Sequence, residues 1–465
     1  MKTYATSKPT FHAAVSVELL SWVGLLLIVL LANLRMLGFP AAVLAGFVFV
    51  AVACIVFSKW IAGSSNVKDM RNFIYIAVLF WVLLDPLQSR EGIEDFKNSV
   101  AAEAILYVVV FLTTVSLGYC LAPSRKVARV FARISEPSNV SQIVGVVILL
   151  YLLGTTPILY YSDWSVDTFL RILLAGYNWD IDPGWRRGAL GSESDYLFTI
   201  CFLILNVTPF LALWALRRIP INPLQKVAFV WIIVSVFLFH FFAGGRRYFA
   251  FLVLASMLYL YDSAPKHRRV IWAAYLALAL IILLVLMQVQ VQFRAAGFAD
   301  IDVAALETHI GAFQRDNIFY WMLTAVSVMP EQYSFTREIP FVDFLIHPIP
   351  RFLWPGKPIS EGFPFQRWED ASLTISVIGE FFIAQGLIGV IIAGLAYGWG
   401  ARNWDELIRI APDGSIRSLI YYMGGVLFFV VGIRSLSDIV TQWYSVGFVV
   451  LLTYLLGKLE HVQRA

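Results

Sequence analysis

Charge is scarce in this chain, and so are cysteine and the glycine patterns that hold nucleotides. Only 14% of the 465 residues are Asp, Glu, Lys or Arg, against 59% that are apolar. A soluble domain carries about 25% charged residues, so an aqueous surface cannot be built from this composition. The three cysteines, Cys54, Cys120 and Cys201, all fall inside apolar runs, where a thiol counts as a small apolar group. Neither a disulfide framework nor a zinc spacing is present. The absence of a P-loop and of a Rossmann glycine pattern leaves ATP-driven and hydride chemistry without a site. No internal repeat relates the two halves. No small-residue cleavage site follows the first apolar run behind Lys2 and Lys8, so that run reads as a retained span.

What the chain has instead is apolar length. Runs of roughly 15 to 25 residues recur throughout, among them 16–33, 38–57, 100–122, 196–216, 271–290 and 439–457, each about long enough to cross a hydrocarbon core. Only helices and closed barrels satisfy their backbones there, and these runs lack the alternation of a barrel strand. The expected fold is all-α: a polytopic transmembrane bundle of about twelve spans. Residues 1–465 form one integral membrane domain with two long connections, 160–195 and 291–372.

Lys and Arg concentrate in alternate loops. One set holds Lys59, Lys68 and Arg71, then Arg125, Lys126, Arg129 and Arg133, then Arg217, Arg218 and Lys226. It continues with Lys266, Arg268 and Arg269, with Arg402, Arg409 and Arg417, and with the tail carrying Lys458 and Arg464. The positive-inside rule makes these loops and both termini cytoplasmic. The opposite set is richer in acid, as in Glu91-Gly-Ile-Glu94-Asp95, and contains both long connections; these face outward. The cytoplasmic loops stay below about twenty residues, far short of the ~100 of a nucleotide-binding domain, so an enzyme of this shape draws its donor from the membrane. In the outer loops, the segment from Trp164 through Leu174 predicts an interfacial amphipathic helix, and Asp302 is placed to cap a helix over 303–309. Ile318 to Met329 is too short to span and lies in the interface or re-enters. The prolines of 340–358 forbid a continuous helix and predict a rigid loop.

Topology gives no reason for cations on the outer side, yet the outward basic residues are almost all arginine, with Lys97 and Lys357 as exceptions. Arginine is the planar, bidentate, permanently charged partner for phosphate, although outer arginines also snorkel to headgroups or pair with carboxylates. The tight hairpin Phe241-Phe-Ala-Gly244-Gly245-Arg246-Arg247-Tyr248 holds two adjacent cations at the surface, which is costly without an anion. Arg434, in the short Gly432-to-Asp438 turn, is a second candidate, with pairing to Asp438 as its alternative. The Trp185-Arg186-Arg187 pair has Asp180 and Asp182 beside it.

Candidate bases lie on the same side. Glu380 sits one or two turns into the span after the long loop, a depth at which a carboxylate is a functional candidate, with an ion pair to an arginine as the alternative. His347 and His309 titrate near neutral pH, though a lone loop histidine is more often structural. Asp180-Ile-Asp182 and Asp300-Ile-Asp302 have the form of metal-binding DxD motifs but read more simply as caps and loop solvation, so no metal and no cofactor is expected. Asp85, Glu103 and Glu18 are membrane carboxylates without an assigned role.

The order of these parts resembles the bacterial oligosaccharide repeat-unit polymerases, the O-antigen polymerase or Wzy-type family. The likeness rests on Gly244-Gly245-Arg246-Arg247, on Ile349-Pro350-Arg351-Phe-Leu-Trp354-Pro355-Gly-Lys357-Pro358, and on Gly379-Glu380 followed by Gly386 and Gly389. It covers about residues 240 to 395, and the span layout extends loosely over the rest. The related O-antigen ligases carry a histidine motif where this chain has Gly379-Glu380. The resemblance implies a glycosyltransferase at the outer face of the bacterial inner membrane that polymerises undecaprenyl-pyrophosphate-linked repeat units. Such units serve as both donor and acceptor, and transfer proceeds by inverting single displacement. Arg246, Arg247, Arg351 and Arg434, with Lys357 auxiliary, would take the pyrophosphate; Glu380, or else His347, would be the base. Trp164, Trp185, Trp354 and Trp368 are candidates to stack on sugars. A flippase and a chain-length regulator are the implied partners, alongside membrane lipid, and nothing points to nucleic acid. The alternatives are a ligase-like transferase and a lipid-linked oligosaccharide transporter, the latter expected to carry charge along a central cavity and internal repeats.

Overall fold

The structure, a computed structural model, describes residues 8–33, 41–61, 69–88, 96–122, 137, 139–174, 192–242, 246–296, 318–337, 340–346, 349, 353–354, 356–357, 375–440 and 442–464. Among them helices are the regular elements and no strand occurs. Six helices are long and apolar enough to cross a membrane: Asn98–Leu121, Val140–Tyr161, Thr199–Arg218, Pro223–Phe242, Val377–Arg409 and Ile416–Arg434. Shorter apolar helices cover Leu20–Leu31, Val43–Val56, Met70–Leu83, Arg269–Leu283, Ile318–Val328 and Trp443–Lys458. The helical membrane fold expected from composition is present, and six of the expected spans, about twelve in number, have full length among the described residues.

The chain divides into two compact units, each assembled from distant segments. One comprises Met1–Val127, Gln314–Glu406 and Phe428–Val440; the other comprises Ala128–Phe313, Leu407–Leu427 and Thr441–Ala465.

In the first unit the Asn98–Leu121 and Val377–Ile410 helices touch backbone to backbone along a glycine seam. A Cβ on Gly394 would stand 2.7 Å from the Phe111 carbonyl oxygen, one on Gly398 2.7 Å from the Tyr119 nitrogen, and one on Gly118 2.9 Å from Leu395 Cα. The four-residue spacing puts Gly394 and Gly398 on one helix face. Small residues let spans approach closely where lipid removes the hydrophobic drive between them. Tyr397 fills the space beside the seam, stacked on Phe428 at 5.1 Å and edge-on to Phe111 at 5.8 Å.

Near Tyr119 this unit buries a charged cluster. Arg71 Nη1 pairs with Glu18 Oε2 at 2.8 Å, and Glu18 also accepts from the Tyr75 hydroxyl at 2.9 Å and the Ser116 hydroxyl at 3.3 Å. The Arg71 guanidinium lies 4.3 Å from the Tyr119 ring centroid. The Tyr119 hydroxyl donates to Asp405 at 2.7 Å, and the other Asp405 oxygen accepts from the Met70 N–H at 2.8 Å. Asp405, fully buried, thus supplies from another segment the N-terminal cap that the Met70–Val78 helix lacks locally. Two expectations change here. Arg71, counted among loop cations, is a buried residue of a helix's first turn, and Glu18 has a structural partner.

In the second unit Gly154 allows the Val140–Tyr161 helix to meet the Leu205 backbone of the Ser192–Arg218 helix, where a Cβ would stand 2.9 Å away. One turn ties several helix ends together. The Gly414 carbonyl accepts from Arg218 Nε at 2.8 Å and the Tyr259 hydroxyl at 2.7 Å, and Arg218 also donates to the Asp413 carbonyl. Arg269 pairs with Asp413 at 2.6 Å, and Ser418 donates to the buried Asp262 at 2.5 Å. The expected amphipathic helix is present as Val166–Leu174. It is entered through Asp163 and Trp164 in left-handed conformation, φ +51 and +55.

Replacing Gly398 by Leu forces the seam apart. The expected cost is about 1–3 kcal/mol, read as a lowered thermal unfolding midpoint of the detergent-purified protein. Breaking the buried pair with Arg71→Met alone is expected to cost about 3–5 kcal/mol, and adding Glu18→Leu to recover most of it; equal destabilisation of single and double variants would sink the ion-pair assignment.

Candidate functional site

Nominated residues fall in both units. In the second unit Arg246 and Arg247 are the first residues of the Arg246–Ser263 helix. Cations in a first turn oppose the helix dipole, whereas the dipole favours an anion placed there. The Arg246 side chain and the two glycines before it lie outside the described residues. The Arg247 guanidinium stands 5.2 Å from the Tyr248 ring centroid, within cation–π range. Tyr248 is itself held: Gln442 Nε2 donates to its hydroxyl, and the Phe202 and His240 rings pack on it at 5.4 and 5.5 Å. Gln442 and His240 are both buried. Sequence reading missed Tyr248, Gln442 and His240, whose aromatic or amide side chains carry no motif; Gln442 is also distant in the chain from the tyrosine it holds.

In the first unit the Val377–Ile410 helix is broken. Gln385 has φ −147 and ψ +16, and Gly386 has φ +63 and ψ −146. The break frees the carbonyls of Ile383 and Ala384, which accept from Thr336 N–H at 3.1 Å and Arg337 N–H at 2.9 Å. Phe335 lies against Gly386, where a Cβ would stand 2.9 Å from its ring, and its ring centroid is 5.8 Å from that of Phe382. The strap 335–337 therefore plugs the break.

Glu380 lies on the short half-helix before the break and is 6% exposed. Its Oε1 accepts from the Ser435 hydroxyl at 2.6 Å and its Oε2 from the Leu436 N–H at 2.9 Å. Ser435 is an extended residue that separates Gly432–Arg434 from Leu436–Ile439. The carboxylate thus closes a second helix break. Arg434, next to that break, lies 5.9 Å from the Trp81 ring centroid. The Trp81 indole N–H donates to the Val430 carbonyl at 3.0 Å, linking the π turn Leu79–Leu83 to the π turn Leu427–Val431. Nearby, Glu103 accepts from Tyr107 at 2.5 Å, and the Tyr107 ring packs on Phe382 at 4.8 Å.

The other nominated residues separate. Lys357 Nζ donates to the Ile349 carbonyl at 3.2 Å, and Pro340–Ile346, expected to open a loop, is helical, with its proline at the first position where a missing N–H costs nothing. His347 and Arg351 lie outside the described residues, as do His309, Asp180, Asp182, Asp300, Asp302, Trp185, Arg186, Arg187 and Trp368, and the side chains of Asp85 and Asp438. Trp164 and Trp354 are exposed. Among the described residues no group of three or more His, Cys, Asp or Glu side chains converges as metal ligands do. Comparison with family models, curated proteins and solved structures yields no match.

Glu380→Ala leaves the buried Leu436 N–H and Ser435 hydroxyl without their acceptor, an expected loss of about 1–3 kcal/mol. Ser435→Ala removes one neutral donor and should cost about 1 kcal/mol. Thermal unfolding of both variants tests the ranking.

Proposed function

We propose that this protein is a membrane glycosyltransferase that polymerises undecaprenyl-pyrophosphate-linked oligosaccharide units at the outer face of a bacterial inner membrane. The observation that carries the proposal is the paired arginine start of the Arg246–Ser263 helix, with Arg247 oriented by a tyrosine that is hydrogen-bonded in turn. A guanidinium oriented in this way near a helix N-terminus is suited to a phosphate anion. In this reading the spans number about twelve, with the shorter apolar helices other than Ile318–Val328 and the helix opening at Arg246 crossing the bilayer beside the six long ones. Both termini are cytoplasmic, and the ends carrying Arg247, Glu380 and Arg434 face outward.

The chemistry follows from the groups. The acceptor sugar hydroxyl attacks the anomeric carbon of the donor glycan, and the bond from that carbon to the phosphate oxygen breaks. The bonding pair leaves with undecaprenyl pyrophosphate, and the configuration inverts. Arginines aimed at the departing pyrophosphate stabilise the negative charge it gains; Arg246, Arg247, Arg351 and Arg434 are assigned to it, with Lys357 auxiliary. Pyrophosphate departs without protonation, so a single base suffices. Glu380 is assigned to take the hydroxyl proton, with His347 the second choice. Substrate arrives from a flippase, and a chain-length regulator sets how many units are joined.

Wild type, Arg247→Ala and Glu380→Gln, each reconstituted with a lipid-linked repeat unit from the source organism, are compared for oligomer ladders and released undecaprenyl pyrophosphate. Glutamine keeps the size of the side chain that closes the second break. Wild type is expected to form ladders, with losses of about 10²–10³-fold for Arg247→Ala and about 10²–10⁴-fold for Glu380→Gln. A wild type that moves the lipid between leaflets without joining units would make the protein a transporter.

A further inference from the structure

Arg337 was not singled out by its sequence, and its surroundings set it apart. It adopts φ +58, a left-handed conformation that costs a residue with a Cβ roughly 1–2 kcal/mol. Only over-determined surroundings keep a side-chain-bearing residue there. Those surroundings are visible: the Arg337 N–H is bonded to the Ala384 carbonyl at 2.9 Å, the Thr336 N–H to the Ile383 carbonyl at 3.1 Å, and Phe335 packs against Gly386. Glycine would meet every backbone requirement without strain. The side chain does not explain the residue through packing either, since it is exposed and makes no ion pair among the described residues. Other arginines of this unit are engaged, Arg71 with Glu18 and Arg434 over Trp81.

The strap fixes where this cation starts. Ala384 is one helical turn beyond Glu380, about 6 Å along the axis and on the same face. Its backbone is thereby anchored to the half-helix that carries the proposed base.

We infer that Arg337 is a substrate-binding residue that takes a phosphate of a polyprenyl-linked pyrophosphate, held at fixed distance from Glu380 by the strap across the helix break. The identity of the ligand rests on the proposed function; the assignment of an anion to Arg337 rests on the strap. Phospholipid headgroups offer the same phosphate chemistry, and the test separates the two sources.

Full-length wild type, Arg337→Gly, Arg337→Asn and Arg337→Lys are placed in phosphatidylcholine nanodiscs and titrated with undecaprenyl pyrophosphate, with ligand-induced thermal shift as the readout. A parallel series uses phosphatidylglycerol. Glycine and asparagine both suit the left-handed backbone, so the ligand-free midpoint of each is expected to equal or exceed that of wild type. Their apparent Kd for undecaprenyl pyrophosphate is expected to rise at least tenfold, with Lys intermediate. With repeat unit as substrate, KM should rise more than kcat falls. Unchanged pyrophosphate binding in Arg337→Gly and Arg337→Asn, or a deficit confined to phosphatidylglycerol, overturns the inference. A wild type that binds the pyrophosphate in an Arg337-dependent way yet joins no units retains the inference and removes the polymerase reading.

Discussion

A helix interrupted inside an apolar bundle exposes backbone groups that neither lipid nor apolar side chains can satisfy, and each one left open costs several kcal/mol. The first unit contains two such interruptions, at Gln385-Gly386 and at Ser435. The polar geometry of that end follows from how they are closed. Backbone N–H groups of the 336–337 strap cover the first, and the Glu380 carboxylate covers the second. Broken helices at membrane depth occur where protein or a wet cavity surrounds them, and in transporters they mark ligand sites. Here the same closures hold Arg337, Glu380 and Arg434 to defined backbone positions.

The remaining helix ends obey the same constraint with different groups. Asp405 caps the Met70–Val78 helix from hundreds of residues away, and the Gly414 carbonyl gathers Arg218 and Tyr259. Between such ends the seams are dry and tight, as where Gly394 and Gly398 lie against the Asn98–Leu121 backbone. Outward faces are apolar to the opposite extreme, with Leu224 78% and Val270 80% exposed in the protein alone, as lipid contact requires. A rigid seam beneath polar ends restricts how far a charged group can drift from its place, which is the condition for electrostatic preorganisation.

Sequence made the helical class and the amphipathic Val166–Leu174 segment legible, because each is a local matter of length or period. Which face of a span is buried was not legible. In water a buried stripe stands out against a polar face; in lipid both faces are apolar. The Val140–Tyr161 and Val377–Arg409 helices show the consequence. Their mean hydropathies are 2.2 and 2.0, yet 33% of one window and 72% of the other is buried within the protein. Arg71 was misplaced for a related reason: a cation at the edge of an apolar run reads as loop, and its partner Glu18 lies on another helix. Trp81 and Gln442 left no signal, since each reaches an arginine, Gln442 by way of Tyr248, only through contacts made in three dimensions.

Those contacts also weigh the candidate cations against one another. A guanidinium set over an aromatic ring is attracted through its face while its five N–H donors lie in its plane. Arg434 over Trp81 and Arg247 over Tyr248 are therefore oriented by groups that do not compete with an oxyanion for the same donors. An ammonium has no such division between face and edge. Lys357 directs Nζ to the Ile349 carbonyl, so its donors serve a loop closure first. A guanidinium thus separates orientation from donation, and the aromatic residues beneath Arg247 and Arg434 set the orientation of both cations.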